Sequence, residues 1–110
     1  LYLEPFGGVN VEAMFSGTPA ITTDWGGFTE TVRHSETGYR CRTMEQFAWA
    51  ARNVDKLDAR HIRDYAIANY SLQRVSLMYD EYFHMLQDLF GAGWYEKHPG
   101  RADLDWLRRE

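Results

Sequence analysis

The sequence predicts an α/β fold in which short parallel strands are flanked by helices and a long helix lies toward the C-terminus. Three observations predict it. Short β-branched or aromatic runs at Ala20-Ile21-Thr22-Thr23 and around Tyr39 alternate with segments of helical spacing, and glycine or proline marks the junctions. Thr43-Met44-Glu45-Gln46 has the form of a capping box, which fixes the start of a helix. Apolar residues then recur along one face from Val75 to Phe90, too long a stretch for a strand. Helix-strand-helix-strand order favours parallel pairing through right-handed crossovers.

Each element has its own local reason. Leu1-Tyr2-Leu3 reads as the end of a strand. Val9 to Ser16 forms a short helix, ended by Gly17 as a left-handed cap and by Pro19, which cannot continue it. Ala20 to Thr23 is a short buried strand, and Thr23 to Gly27 is a turn-rich loop. Phe28 to His34 reads as a second helix, with Glu30 in the first turn where a carboxylate favours the dipole. Thr37-Gly38-Tyr39-Arg40-Cys41 turns into another strand. Met44, Phe47, Ala48, Ala51 and Val54 mark the sheet-facing stripe of the next helix. Asp58 caps a helix that runs through Asn69. Ser71 opens the longest one, with Val75, Met78, Tyr79, Tyr82, Leu86, Leu89 and Phe90 along its stripe. Gly91 to Glu110 mixes glycines with Trp94, Tyr95 and Trp106 and is expected to be a tail, docked or flexible.

Composition narrows the possibilities. With 110 residues, 45% of them hydrophobic and 15% aromatic, the chain can bury one core. Twelve Lys+Arg against sixteen Asp+Glu give a formal charge of -4, which disfavours nucleic acid and anionic membrane surfaces as partners. The single cysteine, Cys41, excludes an intrachain disulfide and reads as a buried strand residue, since no helix N-terminus adjoins it to make a nucleophile. No apolar run of ~18 residues exists to span a bilayer, and no signal peptide is visible. His34, His61, His84 and His98 show no ligand spacing and read as surface or boundary residues. Asp24 has no Asp-x-Asp partner, so no metal is expected.

The densest chemistry lies in Glu4-Pro5-Phe6-Gly7-Gly8-Val9-Asn10-Val11-Glu12, where two glutamates enclose a glycine pair that opens a helix. Gly7 and Gly8 remove the side chains that would keep an anion away from the backbone, and the helix start offers unpaired N–H groups and the positive end of its dipole. The glutamates can accept hydrogen bonds from hydroxyls beside that anion. As an ordered series with Ala13-Met14, Gly17-Thr18-Pro19, Thr23-Asp24-Trp25-Gly26-Gly27, Glu30-Thr31-Val32 and Thr37-Gly38-Tyr39, this segment resembles the donor-binding half of the retaining GT-B glycosyltransferases, the family-4 type.

That resemblance implies a partial Rossmann-like C-terminal domain over residues 1–90, followed by the tail over 91–110. It implies an enzyme in the parent protein, one that transfers a sugar from a nucleotide-diphosphate sugar to an acceptor without cofactor or metal. Glu12 corresponds to the glutamate that accepts from the ribose hydroxyls. Glu4 corresponds to the glutamate at the reacting face, either a covalent nucleophile or, as we favour, a positioning group. Phe6, Gly7, Gly8 and Val9 would give backbone amides to the sugar and diphosphate, with Gly26, Gly27 and Glu30 as further loop contacts. GT-B enzymes have two domains facing across a cleft. The chain is therefore expected to be a C-terminal piece that lacks the N-terminal acceptor domain and the upstream basic residues, and to be inactive alone. The cytoplasm, or the cytoplasmic face of a membrane, is the expected location. Two alternatives remain: a noncatalytic binding module that keeps the half-fold, and a GT-B-shaped epimerase.

Overall fold

The computed structural model describes residues 3–92, the side chains of 88–92 excepted. Its elements are α1 (Gly8–Phe15), β1 (Ala20–Thr23), α2 (Phe28–Thr31), β2 (Gly38–Cys41), α3 (Met44–Asn53), a 3-10 turn (Val54–Lys56), α4 (Ala59–Tyr70) and α5 (Leu72–Ala92). β1 and β2 pair in parallel, in register from Ala20 opposite Gly38 to Thr23 opposite Cys41. The predicted α/β class, with short parallel strands flanked by helices and a long C-terminal helix, is the observed one. Leu1, Tyr2 and residues 93–110 lie outside the described residues, and with them the expected first strand end and most of the tail. The chain divides into two compact units at Tyr70 and Ser71.

In the first unit, α1 ends as its sequence dictates. Gly17 takes φ 73, its N–H donates to the Met14 carbonyl at 2.9 Å, and the Thr18 N–H donates to the Ala13 carbonyl at 3.1 Å. These two bonds form a Schellman motif, which satisfies carbonyls the helix would otherwise leave open. A Cβ on Gly17 would also stand 2.6 Å from the Ala59 carbonyl oxygen, so glycine lets the end of α1 abut the start of α4. Along α1 the buried residues are Asn10, Val11 and Met14. Val11 and Met14 pack on Ile62 and Ala66 of α4, with Phe15, Leu57, Tyr65 and Tyr70 around them. Met14 and Ile62 are fully buried, and each such side chain contributes about 1.5–3 kcal/mol.

The second core lies between the sheet and α3. Tyr39, Cys41 and Ala50 are buried there, with Ile21, Phe47 and Leu57 against them, so Leu57 joins both clusters. The capping box at Thr43 is complete: its hydroxyl accepts from the Gln46 N–H, and the Gln46 side chain accepts from the Thr43 N–H, both at 3.3 Å.

Two expectations are corrected. The sheet-facing stripe of α3 is Phe47 and Ala50, leading to Leu57, whereas Met44 is 80% exposed and Ala48 and Ala51 face solvent. Two alanines expose little apolar surface, so helical spacing alone did not select the face. The two-stranded sheet and Trp49, whose ring meets Tyr39 edge-on at 5.2 Å, selected it. The second helix stops at Thr31 and does not reach His34. Val32 is extended, at φ -105 and ψ 114, and is 1% exposed. The buried Thr37 hydroxyl accepts from the Arg33 N–H at 3.0 Å, and the Arg33 carbonyl accepts from the Thr37 N–H at 2.9 Å. This turn takes the backbone groups that would have extended the helix, and it delivers the chain to β2. Gly38, the first residue of β2, packs closely on both sides, since a Cβ there would lie 2.9 Å from Val32 Cγ1 and press on the Ala20 carbonyl.

α4 is capped by Asp58, whose Oδ1 accepts from Arg60 and His61 at 2.9 and 3.4 Å. In the second unit the Ser71 hydroxyl accepts from the Arg74 N–H at 3.2 Å and starts α5 as expected. Along its predicted stripe, Val75, Met78 and Leu86 are half-buried, while Tyr79 and Tyr82 are exposed. The side chains of Leu89 and Phe90 lie outside the described residues.

Candidate functional site

The loop from Glu4 to Gly7 is held from both sides. Glu4 Oε1 accepts from the N–H groups of Phe6 at 3.3 Å and Gly7 at 3.0 Å, an interaction that folds the carboxylate back over its own loop. The Glu4 carbonyl accepts from the Gly27 N–H at 2.7 Å and ties this loop to the one before α2. Gly7 caps α1 at φ 80, a left-handed conformation that costs other residues about 1–2 kcal/mol. A Cβ there would stand 2.6 Å from the Phe28 ring.

Gly26 and Gly27 are required by the same closeness. At Gly26, φ 64, a Cβ would press on the Glu4 carbonyl oxygen. At Gly27 it would lie 2.6 Å from Phe6 Cα and against the Pro5 carbonyl. Backbone therefore packs directly on backbone between the two loops. Gly8 is the exception, with nothing within 4 Å of where a Cβ would be. The glycine that no neighbour requires is the one at the open start of α1.

The helix start is chemically open as well. The N–H groups of Gly8 and Val9 donate to no protein acceptor among the described residues, whereas those of Asn10 and Val11 are taken by the Gly7 carbonyl. No acidic residue sits within the first turn of α1, and the Glu4 carboxylate just before it is turned to the N–H groups of Phe6 and Gly7 and not to those of Gly8 and Val9. Gly8 is exposed and Val9 is 81% exposed. Glu12 lies one turn after Gly8 on the same face of α1, is exposed, and has no partner among the described residues. Glu4, Phe6, Gly7, Gly8, Val9, Gly26 and Gly27 are thus gathered in two touching loops. Phe6 and Gly7 spend their amides on Glu4, which leaves Gly8 and Val9 as free donors. Glu30 is exposed in the first turn of α2.

Several residues here escaped the sequence reading. Asn10, 6% exposed, donates from Nδ2 to Thr31 Oγ1 at 2.9 Å, and the Thr31 hydroxyl donates to the Gly27 carbonyl at 3.1 Å. The available signal was a lone amide sharing the buried face of α1 with Val11 and Met14. Asp24 is occupied by two arginines that are distant along the chain and close in space: Arg42 Nε at 2.7 Å from Oδ2 and Arg40 Nη1 at 3.4 Å from Oδ1. The Arg42 hydrogen bond, first among the causes, holds the Asp24 carboxyl below the usual carboxylate range against a smaller opposing effect of burial. His34 is exposed, yet its Nδ1 accepts from the Arg40 N–H at 3.0 Å, so it also helps to hold β2. Cys41 is free and buried, and burial pushes its thiol up. No group of three His, Cys, Asp or Glu side chains suited to a metal occurs among the described residues. No helix among them is long and apolar enough to cross a membrane.

The sequence pattern of the family described as Glycosyl transferases group 1 matches residues 1–69, which include every loop of this site. The chain belongs to that family. Its relatives agree over shorter stretches. A D-inositol 3-phosphate glycosyltransferase of Nocardia farcinica is 45% identical over 49 residues, 44% of this chain and 11% of that protein. A glycogen synthase of Mycobacterium tuberculosis is 42% identical over 55 residues, 48% of this chain and 13% of that protein. An N-acetyl-alpha-D-glucosaminyl L-malate synthase of Bacillus anthracis is 50% identical over 38 residues, 34% of this chain and 10% of that protein. The chain spans about a tenth of the length of the curated relatives it matches. The group 1 match ends at residue 69, one residue before the end of α4, so α5 lies beyond it.

Proposed function

We propose that residues 1–90 form the donor-binding part of a retaining GT-B glycosyltransferase of the family-4 type, which transfers a sugar from a nucleotide-diphosphate sugar to an acceptor bound elsewhere in the parent protein. One observation carries this reading: Gly8 and Val9 present free N–H groups at an open helix start, with Glu4 before them and Glu12 one turn behind. A diphosphate suits that position because both the amides and the helix dipole favour an anion. The relatives' names mention different molecules beside the sugar: inositol phosphate, malate and glycogen. The segment they share with this chain therefore supports donor handling and not acceptor choice.

In this reading Glu12 accepts from the two ribose hydroxyls, and Gly8 and Val9 stabilise charge that grows on the departing diphosphate. Glu4 stands at the sugar as a positioning group. Its Oε1 already accepts two backbone N–H groups, which fix the carboxylate in place. The sugar–phosphate bond breaks as the acceptor oxygen bonds on the same face, and the acceptor proton passes to the leaving phosphate. Transfer needs no resident metal, a reading supported by the commitment of Asp24 to Arg40 and Arg42. The chain alone does not turn over, and its parent works in the cytoplasm or at a cytoplasmic membrane face.

The test is the stereochemistry of the full-length protein. Product NMR should show retained anomeric configuration, with activity persisting in chelator. An inverted product or complete metal dependence would overturn the mechanism, and failure to bind any nucleoside diphosphate would overturn the site.

A further inference from the structure

Five hydrogen bonds close a ring around the glycine loops. The Gly7 N–H donates to Glu4 Oε1 at 3.0 Å, and the Glu4 carbonyl accepts from the Gly27 N–H at 2.7 Å. The Gly27 carbonyl accepts from the Thr31 hydroxyl at 3.1 Å, and Thr31 Oγ1 accepts from Asn10 Nδ2 at 2.9 Å. The Asn10 N–H returns to the Gly7 carbonyl at 3.1 Å. Of the other four links, two are backbone to backbone, one joins the Glu4 carboxylate to backbone and one joins the Thr31 hydroxyl to backbone. The Asn10–Thr31 contact is, among the described residues, the side-chain to side-chain hydrogen bond that bridges α1 to α2.

We infer that Asn10 and Thr31 are positioning residues for the donor site, which lock the Glu4 carboxylate and the free amides of Gly8 and Val9 into one geometry. This rests on the donor-site reading above. Both residues are buried, at 6% and 2% exposure, and neither can reach a ligand from its place between the helices. Neither is readily replaced by an apolar residue: without the Thr31 hydroxyl the Asn10 amide loses its partner in a dry setting, while the Gly27 carbonyl keeps the N–H groups of Glu30 and Thr31 at 3.1 and 3.0 Å. The chain is directional, since Thr31 accepts from Asn10 and donates to Gly27 at once, so its hydroxyl ties Asn10 to a carbonyl that the N–H groups of Glu30 and Thr31 also hold. Gly27 in turn packs directly on Pro5 and Phe6, with no room for a Cβ between them. A shift of Thr31 is therefore passed through Gly27 to Glu4 and Gly7, the residues that frame the helix start.

The test uses the full-length protein with Thr31→Val, Asn10→Ala, the double variant, Thr31→Ser and a control, Ile62→Val, in the α1–α4 core away from the loops. Binding of uridine, guanosine and adenosine diphosphates is titrated, and amide exchange is read at Gly7 and Gly27. Thr31→Val and Asn10→Ala should each weaken the preferred nucleotide roughly five- to fifty-fold. The double variant should be little worse than the weaker single one, because one missing link already opens the ring. Thr31→Ser should stay within about two-fold of the parent, since it keeps the hydroxyl that makes both bonds. Ile62→Val should lower thermal stability and leave nucleotide affinity unchanged. Wild-type affinity in Thr31→Val, an affinity loss in Thr31→Ser equal to that in Thr31→Val, or a matching loss in Ile62→Val would overturn the positioning role alone. If the parent protein binds none of the three nucleotides, the donor-site reading falls, and this inference with it.

Discussion

Replacing Gly8 with alanine separates folding from binding, because four of the site's glycines look alike in sequence and differ in what surrounds them. Gly8 does not occupy a positive φ, and nothing lies within 4 Å of an added Cβ. Gly8→Ala should therefore leave stability unchanged or raise it by up to ~1 kcal/mol, through lower chain entropy in the unfolded state and better helix propensity. Its methyl would enter the open space at the helix start, where a diphosphate is proposed to bind. Losing even one charge-assisted hydrogen bond costs ~1.5 to 3 kcal/mol, or roughly ten- to hundred-fold in affinity. Gly27→Ala makes the contrast: its Cβ would lie 2.6 Å from Phe6 Cα and on the Pro5 carbonyl, so the backbone of both loops must move. Thermal unfolding and titration calorimetry with nucleoside diphosphates on the full-length protein would read both effects. A Gly8→Ala protein that binds as tightly as its parent would refute the assignment of this helix start to the donor.

Glu12→Gln should weaken nucleotide binding roughly ten- to hundred-fold, while Glu4→Gln should lower turnover more than affinity, because ribose is unchanged by the reaction and the sugar is not; calorimetry and steady-state kinetics on both variants separate the two roles. Asp24 should make stability acid-sensitive. Its folded carboxyl lies below the ordinary value, chiefly through Arg42, so its contribution is present above about pH 4 and is lost as pH falls through the folded value. Asp24→Asn should flatten denaturation midpoints over that acid range, and a profile as steep as the parent's would count against the ion pair. Cys41, buried and with its thiol pushed up, should react with a water-soluble disulfide reagent at pH 8 far more slowly than a free thiol and at full rate after unfolding; immediate labelling of the native protein would contradict its place in β2.

What the sequence determined by itself is local or ordered along the chain. Gly17 and Pro19 ended α1, Thr43 with Gln46 started α3, and Asp58 and Ser71 opened the two last helices, because each of these signals acts through backbone groups a few residues away. The series from Glu4 to Tyr39 carried the family for the same reason: its spacing is linear and can be read without coordinates. Tertiary structure decided the rest. It stopped α2 at Thr31, because Thr37 competes for the Arg33 backbone, and it turned α3 so that Ala50, not Ala48 or Ala51, meets the sheet. It paired Asp24 with arginines on β2 and just after it, joined Asn10 to a threonine 21 residues away, and left Gly8 open while filling the space around Gly7, Gly26 and Gly27. Whether a glycine serves close packing or an approaching ligand depends on what occupies the volume beside it, and that volume is filled by residues distant in the chain.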